Sequence, residues 1–147
     1  FLKLLLPLLL FNNLSSFYNR IMIRQDYFLR LLEEFATALA TMMKKKEDER
    51  DDSLRELYRQ YVGDYTLVRN MSVDELIGYA ANEWNDEERI DRLEMVAELL
   101  YAEGSYKTNP LRNMLLEKAY LLFAYVDEKQ SVERKTKIAK LHSILHE

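Results

Sequence analysis

MIRQDYFLRLLEEFATALATMM, residues 22–43, decides the fold class. Ile23, Tyr27, Leu31, Phe35, Leu39 and Met43 recur every four residues, and Phe28, Leu32 and Met42 widen the stripe. Arg24, Asp26, Arg30, Glu33 and Glu34 fill other positions. This spacing predicts a long amphipathic helix with a broad apolar face. Such a face calls for several partner helices, or one helix and another subunit. Ile23, Tyr27, Leu31, Phe35 and Leu39 are therefore expected oligomer contacts, and a homodimer is the expected assembly. Lys44, Lys45 and Lys46 follow, where positive charge suits the negative helix end. The run E-D-E-R-D-D after them reads as a solvated connection.

Further helices are expected downstream. Leu54, Leu57, Tyr58, Tyr61 and Val62 make a short one that stops near Gly63. Periodicity is poor between Asp64 and Met71. Ser72 opens S-V-D-E, a capping box with Glu75 as the reciprocal partner, and the helix it starts should end near Trp84 and Asn85. Ile90, Leu93, Val96, Ala97, Leu100 and Tyr101 trace another, with Gly104 as its expected stop. Asn109-Pro110 is a cap and first-turn pair for the next, whose expected apolar positions are Leu111, Leu115, Tyr120, Phe123 and Val126, with Leu116, Ala119 and Leu122 alongside. Ser131 is the expected cap of a last helix carrying Ile138, Leu141 and Leu145. The expected fold is all-α, about six helices in a bundle or an array of α-α hairpins.

Composition agrees. The chain has 147 residues, three glycines and two prolines, too few turn formers for a fold of many short strands. It has no cysteine, which removes disulfides, thiol nucleophiles and thiolate metal sites, and the expected location is cytoplasmic. Net charge is -4, and Lys3 and Arg20 are the only charges in the first 21 residues. Without those two the remainder carries -6, so phosphate backbones are repelled and nucleic acid is not an expected partner.

FLKLLLPLLLF, residues 1–11, stands apart. It offers about half of the ~20 apolar residues a membrane span needs, and Lys3 and Pro7 interrupt it. No A-x-A-like site follows for a signal peptide. Residues 1–21 are taken as an apolar N-terminal extension, either upstream of the natural start or artificial in origin, with a helix or arm packed on the body or on a neighbouring chain as one alternative. Contact with a membrane surface through residues 1–11 is an alternative. Residues 22–147 are taken as a single helical domain, with Met22 as a natural start.

The stretch M-I-R-Q-D-Y-F-L-R-L-L-E-E-F-A from Met22 to Ala36 resembles the start of an uncharacterised family of small all-helical bacterial proteins. L-L-Y-A-E-G around Leu99 to Gly104 and E-R-K-x-K-I from Glu133 extend the similarity across about Met22 to Leu145. The resemblance implies a tetratricopeptide-like C-terminal part and brings no established activity with it. L-L-Y-A-E-G-S-Y followed by E-K-A-Y-L-L-F itself looks like one tetratricopeptide helix pair. Tyr106 and Ala119 are too far apart for the standard spacing, and no second 34-residue copy is visible.

No motif for a reaction is present. His142 and His146 share one helix face but lack the further ligands that zinc needs, so no metal is expected. Glu83, Glu87 and Asp91, then Glu94 and Glu98, read as solvated helix surface beside Arg89 and Arg92. The basic group Arg134, Lys135, Lys137 and Lys140 lacks interleaved aromatic residues for stacking on bases and reads as solubilising. No phosphate-cradling glycine loop or nucleophile elbow occurs, and no catalytic residue or cofactor is expected. Ten tyrosines are the informative surplus, and Tyr101, Tyr106, Tyr120 and Tyr125 are the expected surface for a protein or peptide. A helical protein-interaction or assembly module is the leading expectation. An enzyme whose site gathers distant polar residues is the alternative.

Overall fold

The computed structural model describes residues 16–146, and side chains from residue 27 onward except those of 133 and 137. It is all-α, with six helices and no strand among the described residues. These are α1 (Ser16–Met43), α2 (Glu47–Tyr61), α3 (Tyr65–Asn70), α4 (Val73–Glu83), α5 (Arg89–Tyr106) and α6 (Leu111–Leu145). Two compact units divide the chain, Phe1–Ala40 and Thr41–Glu147.

In the first unit α1 starts at Ser16, ahead of Met22. Leu32 and Phe35 are buried, Leu31 and Leu39 are half-buried, and Tyr27 is 65% exposed. The side chain of Ile23 and residues 1–11 lie outside the described residues. A spacing of four drifts about 40° per step around a helix of 3.6 residues per turn. Tyr27, Leu31, Phe35 and Leu39 therefore wind around α1 instead of lining one seam.

The second unit is built around α5, which packs on α2, α4 and α6. Leu93, Met95, Val96, Ala97, Leu99, Leu100 and Ala102 are all buried on it, well beyond the single stripe that periodicity outlines. From α2 come Leu54, Leu57, Tyr58 and Tyr61, and from α6 come Leu115, Ala119, Leu122 and Val126. Full burial of such side chains stabilises by roughly 1.5–3 kcal/mol each.

Helix ends follow local chemistry. The Ser72 hydroxyl accepts from the Glu75 N–H at 3.1 Å and the Glu75 carboxylate accepts from the Ser72 N–H at 3.3 Å, so the capping box forms as its sequence predicts. Asp64 caps α3 by accepting from the Leu67 N–H, which orders the stretch of poor periodicity. Gly63 ends α2 with φ of +136°, a conformation that L side chains rarely adopt, and a Cβ there would meet the Tyr79 hydroxyl.

Three expectations about boundaries are corrected. E-D-E-R-D-D is not a connection but the opening of α2, where Glu47, Asp48 and Glu49 complement the positive helix end. Gly104 does not stop α5, which runs on to Tyr106. A Cβ at Gly104 would lie 2.8 Å from the Leu116 Cδ2, so this glycine allows α5 and α6 to approach closely. Ser131 caps nothing, because α6 is one helix of 35 residues. Residues 127–131, D-E-K-Q-S, contain no glycine or proline to break it, and an interior serine costs only about 0.5 kcal/mol.

Candidate functional site

Two features of the second unit gather functional groups, and they behave in opposite ways. The first is a polar knot inside it. Among the described residues Glu103 is the one charged side chain fully buried, at 0% exposure. Arg69 donates to it in a bidentate pair, Nε to Oε1 at 3.1 Å and Nη2 to Oε2 at 2.8 Å. The Tyr65 hydroxyl also donates to Oε2, at 3.0 Å. Arg55 and Arg69 lie over the Tyr65 ring with guanidinium carbons 4.6 and 5.6 Å from its centroid. Lys118 of α6 donates to the Arg69 carbonyl at 2.7 Å.

The electrostatics suit a clamp. Burial and the adjacent Glu103 charge push the Tyr65 hydroxyl up to about 12 and raise Tyr58 as well. Burial and the hydrogen bond to Asp51 raise Tyr106. Burial works against the Asp51 charge, but hydrogen bonds from Lys107 and Tyr106 outweigh it and hold that carboxyl below its ordinary value. Phenols driven upward do not serve as bases at neutral pH, and Glu103 spends its oxygens on Arg69 and Tyr65. The knot ties α3 to α5 and leaves little for a substrate. Tyr58 is its odd member, with a buried hydroxyl that has no hydrogen-bond partner.

The second feature is a face of the α5–α6 hairpin. Gln130 donates to Glu94 at 3.1 Å and Gly104 sits against Leu116, so the antiparallel register is fixed at both ends. Between these ties Tyr101 stands level with Tyr120. Glu94, Glu98, Tyr101 and Ser105 follow one another at i, i+4, i+7 and i+11, a single stripe of α5. Leu116, Tyr120, Phe123, Asp127 and Gln130 make the matching stripe of α6 by the same spacing. Tyr101 is 57% exposed and Tyr120 71%, while Glu94, Glu98, Leu116 and Phe123 are half-buried. Burial pushes Glu94 up to about 7, against the hydrogen bond from Gln130 that pulls it down, and burial raises Glu98 too.

The four expected tyrosines thus divide. Tyr101 and Tyr120 lie on this face, and Tyr120, expected in the apolar stripe, is correspondingly exposed. Tyr106 belongs to the Asp51 network on the way to α2, and Tyr125 is half-buried beneath the Lys129 ammonium, 5.5 Å from its ring centre. Sequence reasoning misses Arg69 and Glu103 altogether. Their separation of 34 residues leaves no local signal, although a glutamate at a core position of α5 is a mark that could be weighed.

The His142 and His146 rings lie 4.3 Å apart on an exposed turn. Among the described residues no three metal-binding side chains gather, and no helix is long and apolar enough to cross a membrane. No family model matches the sequence, and no curated protein and no solved structure matches it either.

Proposed function

We propose that the protein is a helical interaction module that meets a protein or peptide partner on the α5–α6 face. The observation that carries this reading is the pair Tyr101 and Tyr120, exposed and level with each other across the hairpin. Large rings with polar tips are the side chains that recognition surfaces favour. Between and around them lie Leu116 and Phe123, half-buried, and the carboxylates of Glu94 and Glu98. A partner suited to this face presents apolar side chains together with positive charge. The tetratricopeptide-like reading of the α5–α6 pair belongs to the same proposal. The polar knot supports a structural role by contrast, since its ionic groups already satisfy one another.

Photo-cross-linking in cells tests it. A photoreactive phenylalanine analogue at position 101 or 120 should give one discrete, mass-identified adduct. The same group at exposed Glu56 on α2 should not. Identical adduct patterns at all three positions, or none at 101 and 120, would reject the reading.

A further inference from the structure

We infer that the α5–α6 face receives the C-terminal arm of α6, residues 129–145, from a second copy of this chain. The inference rests on the interaction reading above and names its partner. Its starting point is the arm. No described side chain from 127 to 145 is buried, and Val132 and Ile138 are each 59% exposed, with Ile144 and Leu145 exposed beside them. Beyond the Glu94–Gln130 tie only five residues of α5 remain alongside. With no described side chain buried, this arm of about 26 Å draws little stability from packing, and its exposed apolar side chains are covered best by association.

Charge selects the occupant. Residues 129–145 hold five basic side chains against one acidic, a net of +4, which leaves -8 on the rest of a chain that totals -4. Two arms laid together would set like charges face to face. The α5–α6 face offers the opposite: Glu94, Glu98 and Asp127, with no lysine or arginine in either of its stripes. Ile138, Leu141 and Leu145 repeat at i, i+3 and i+7, a row fit to lie between Tyr101 and Tyr120. Arg134 continues that row by one turn and Lys135 flanks it, both exposed and within reach of the carboxylates. The basic residues are spread around the arm, unlike those of a helix that floats on lipid, and an acidic body is repelled by anionic headgroups. Each copy supplies one arm and one face, so reciprocal exchange closes a two-fold dimer.

Sedimentation velocity on the full chain, over a concentration series at low and high salt, reads the association directly. Wild type should form a dimer that salt weakens. Glu98→Lys on the face, or Arg134→Glu with Lys135→Glu on the arm, should each weaken it about tenfold or more. Combining the two sets should restore most of the loss, with circular dichroism confirming that helix content is kept. Tyr120→Ala with Ile138→Ala, which changes no charge, should weaken the dimer at every salt concentration. A dimer indifferent to all these variants, or a combination with no recovery, would overturn the inference. So would a monomer at every concentration that binds anionic vesicles through the arm. A monomer that still cross-links one different protein at position 101 overturns the second copy and leaves the interaction surface standing. A monomer with no cross-link removes both.

Discussion

Residues 111–126 and 129–145 of α6 share a backbone and differ in almost everything else. In the first segment Leu115, Ala119, Leu122 and Val126 are shut away against the second unit at steps of three and four. In the second no described side chain is buried, although Val132, Ile138, Leu141 and Ile144 are as apolar. Continuing Leu115, Ala119, Leu122 and Val126 by one more step of four reaches Gln130, which donates to Glu94, so the inward stripe turns polar as α5 nears its start. Helix formation and burial are separate decisions. Good helix formers and the lack of a breaker carry α6 on, while packing ends with its partner.

The largest contrast between the two segments is energetic. Leu122→Ala, in the buried segment, should cost ~2–5 kcal/mol, because transfer and cavity terms add at a residue with 0% exposure. Ile138→Ala in dilute, monomeric protein should fall within ~0.5 kcal/mol of wild type. Urea denaturation of both variants measures the difference, and similar costs would erase the distinction. Glu103→Ala comes next. Removing one partner of a buried ion pair costs ~3–5 kcal/mol, and the low end applies because the Arg69 side chain is 14% exposed and can turn toward water. A loss below about 1 kcal/mol in the same assay would mean the knot does not hold α3 to α5.

Tyr58→Phe should act in the other direction. Its hydroxyl is buried without a partner while its ring packs edge-on against Tyr65 at 5.1 Å, so deleting only the oxygen should stabilise by about 1 kcal/mol. A drop in the denaturation midpoint would show that the hydroxyl has a partner in solution. The smallest effect is a pH dependence. Glu94 holds its proton up to about 7 in the folded protein against 4.5 ordinarily, so the native state binds the extra proton between those values. Its contribution is therefore present at low pH and lost as pH rises through about 7. Solvent screening of a half-buried group keeps it small. Glu94→Gln should flatten the fall in stability between pH 5 and 7, and an unchanged slope would assign that fall to other groups.

Much of the fold is legible in the residues, because helices are local. Ser72 with Glu75, Gly63 after Tyr61, and the run from Leu54 to Val62 each carry their signal within a few positions. Legibility fails where the deciding fact is a distant neighbour. Gly104 looks like a stop until Leu116 is set against it. Tyr120 looks like part of the apolar stripe until the hairpin register turns it outward. Arg69 and Glu103 are ordinary charges in sequence and become a pair only when α3 meets α5. Tyr101 and Tyr120 are legible as a surplus of tyrosine, but only the register makes them neighbours on one face.

Amide hydrogen exchange along α6, at dilute and at concentrated protein, tests the contrast between its segments most directly. Residues 111–126 should exchange slowly at both concentrations, since opening them requires disrupting the packing around α5. Residues 129–145 should exchange fast in dilute protein and become protected as the concentration rises. Equal, concentration-independent protection along the whole of α6 would contradict the account.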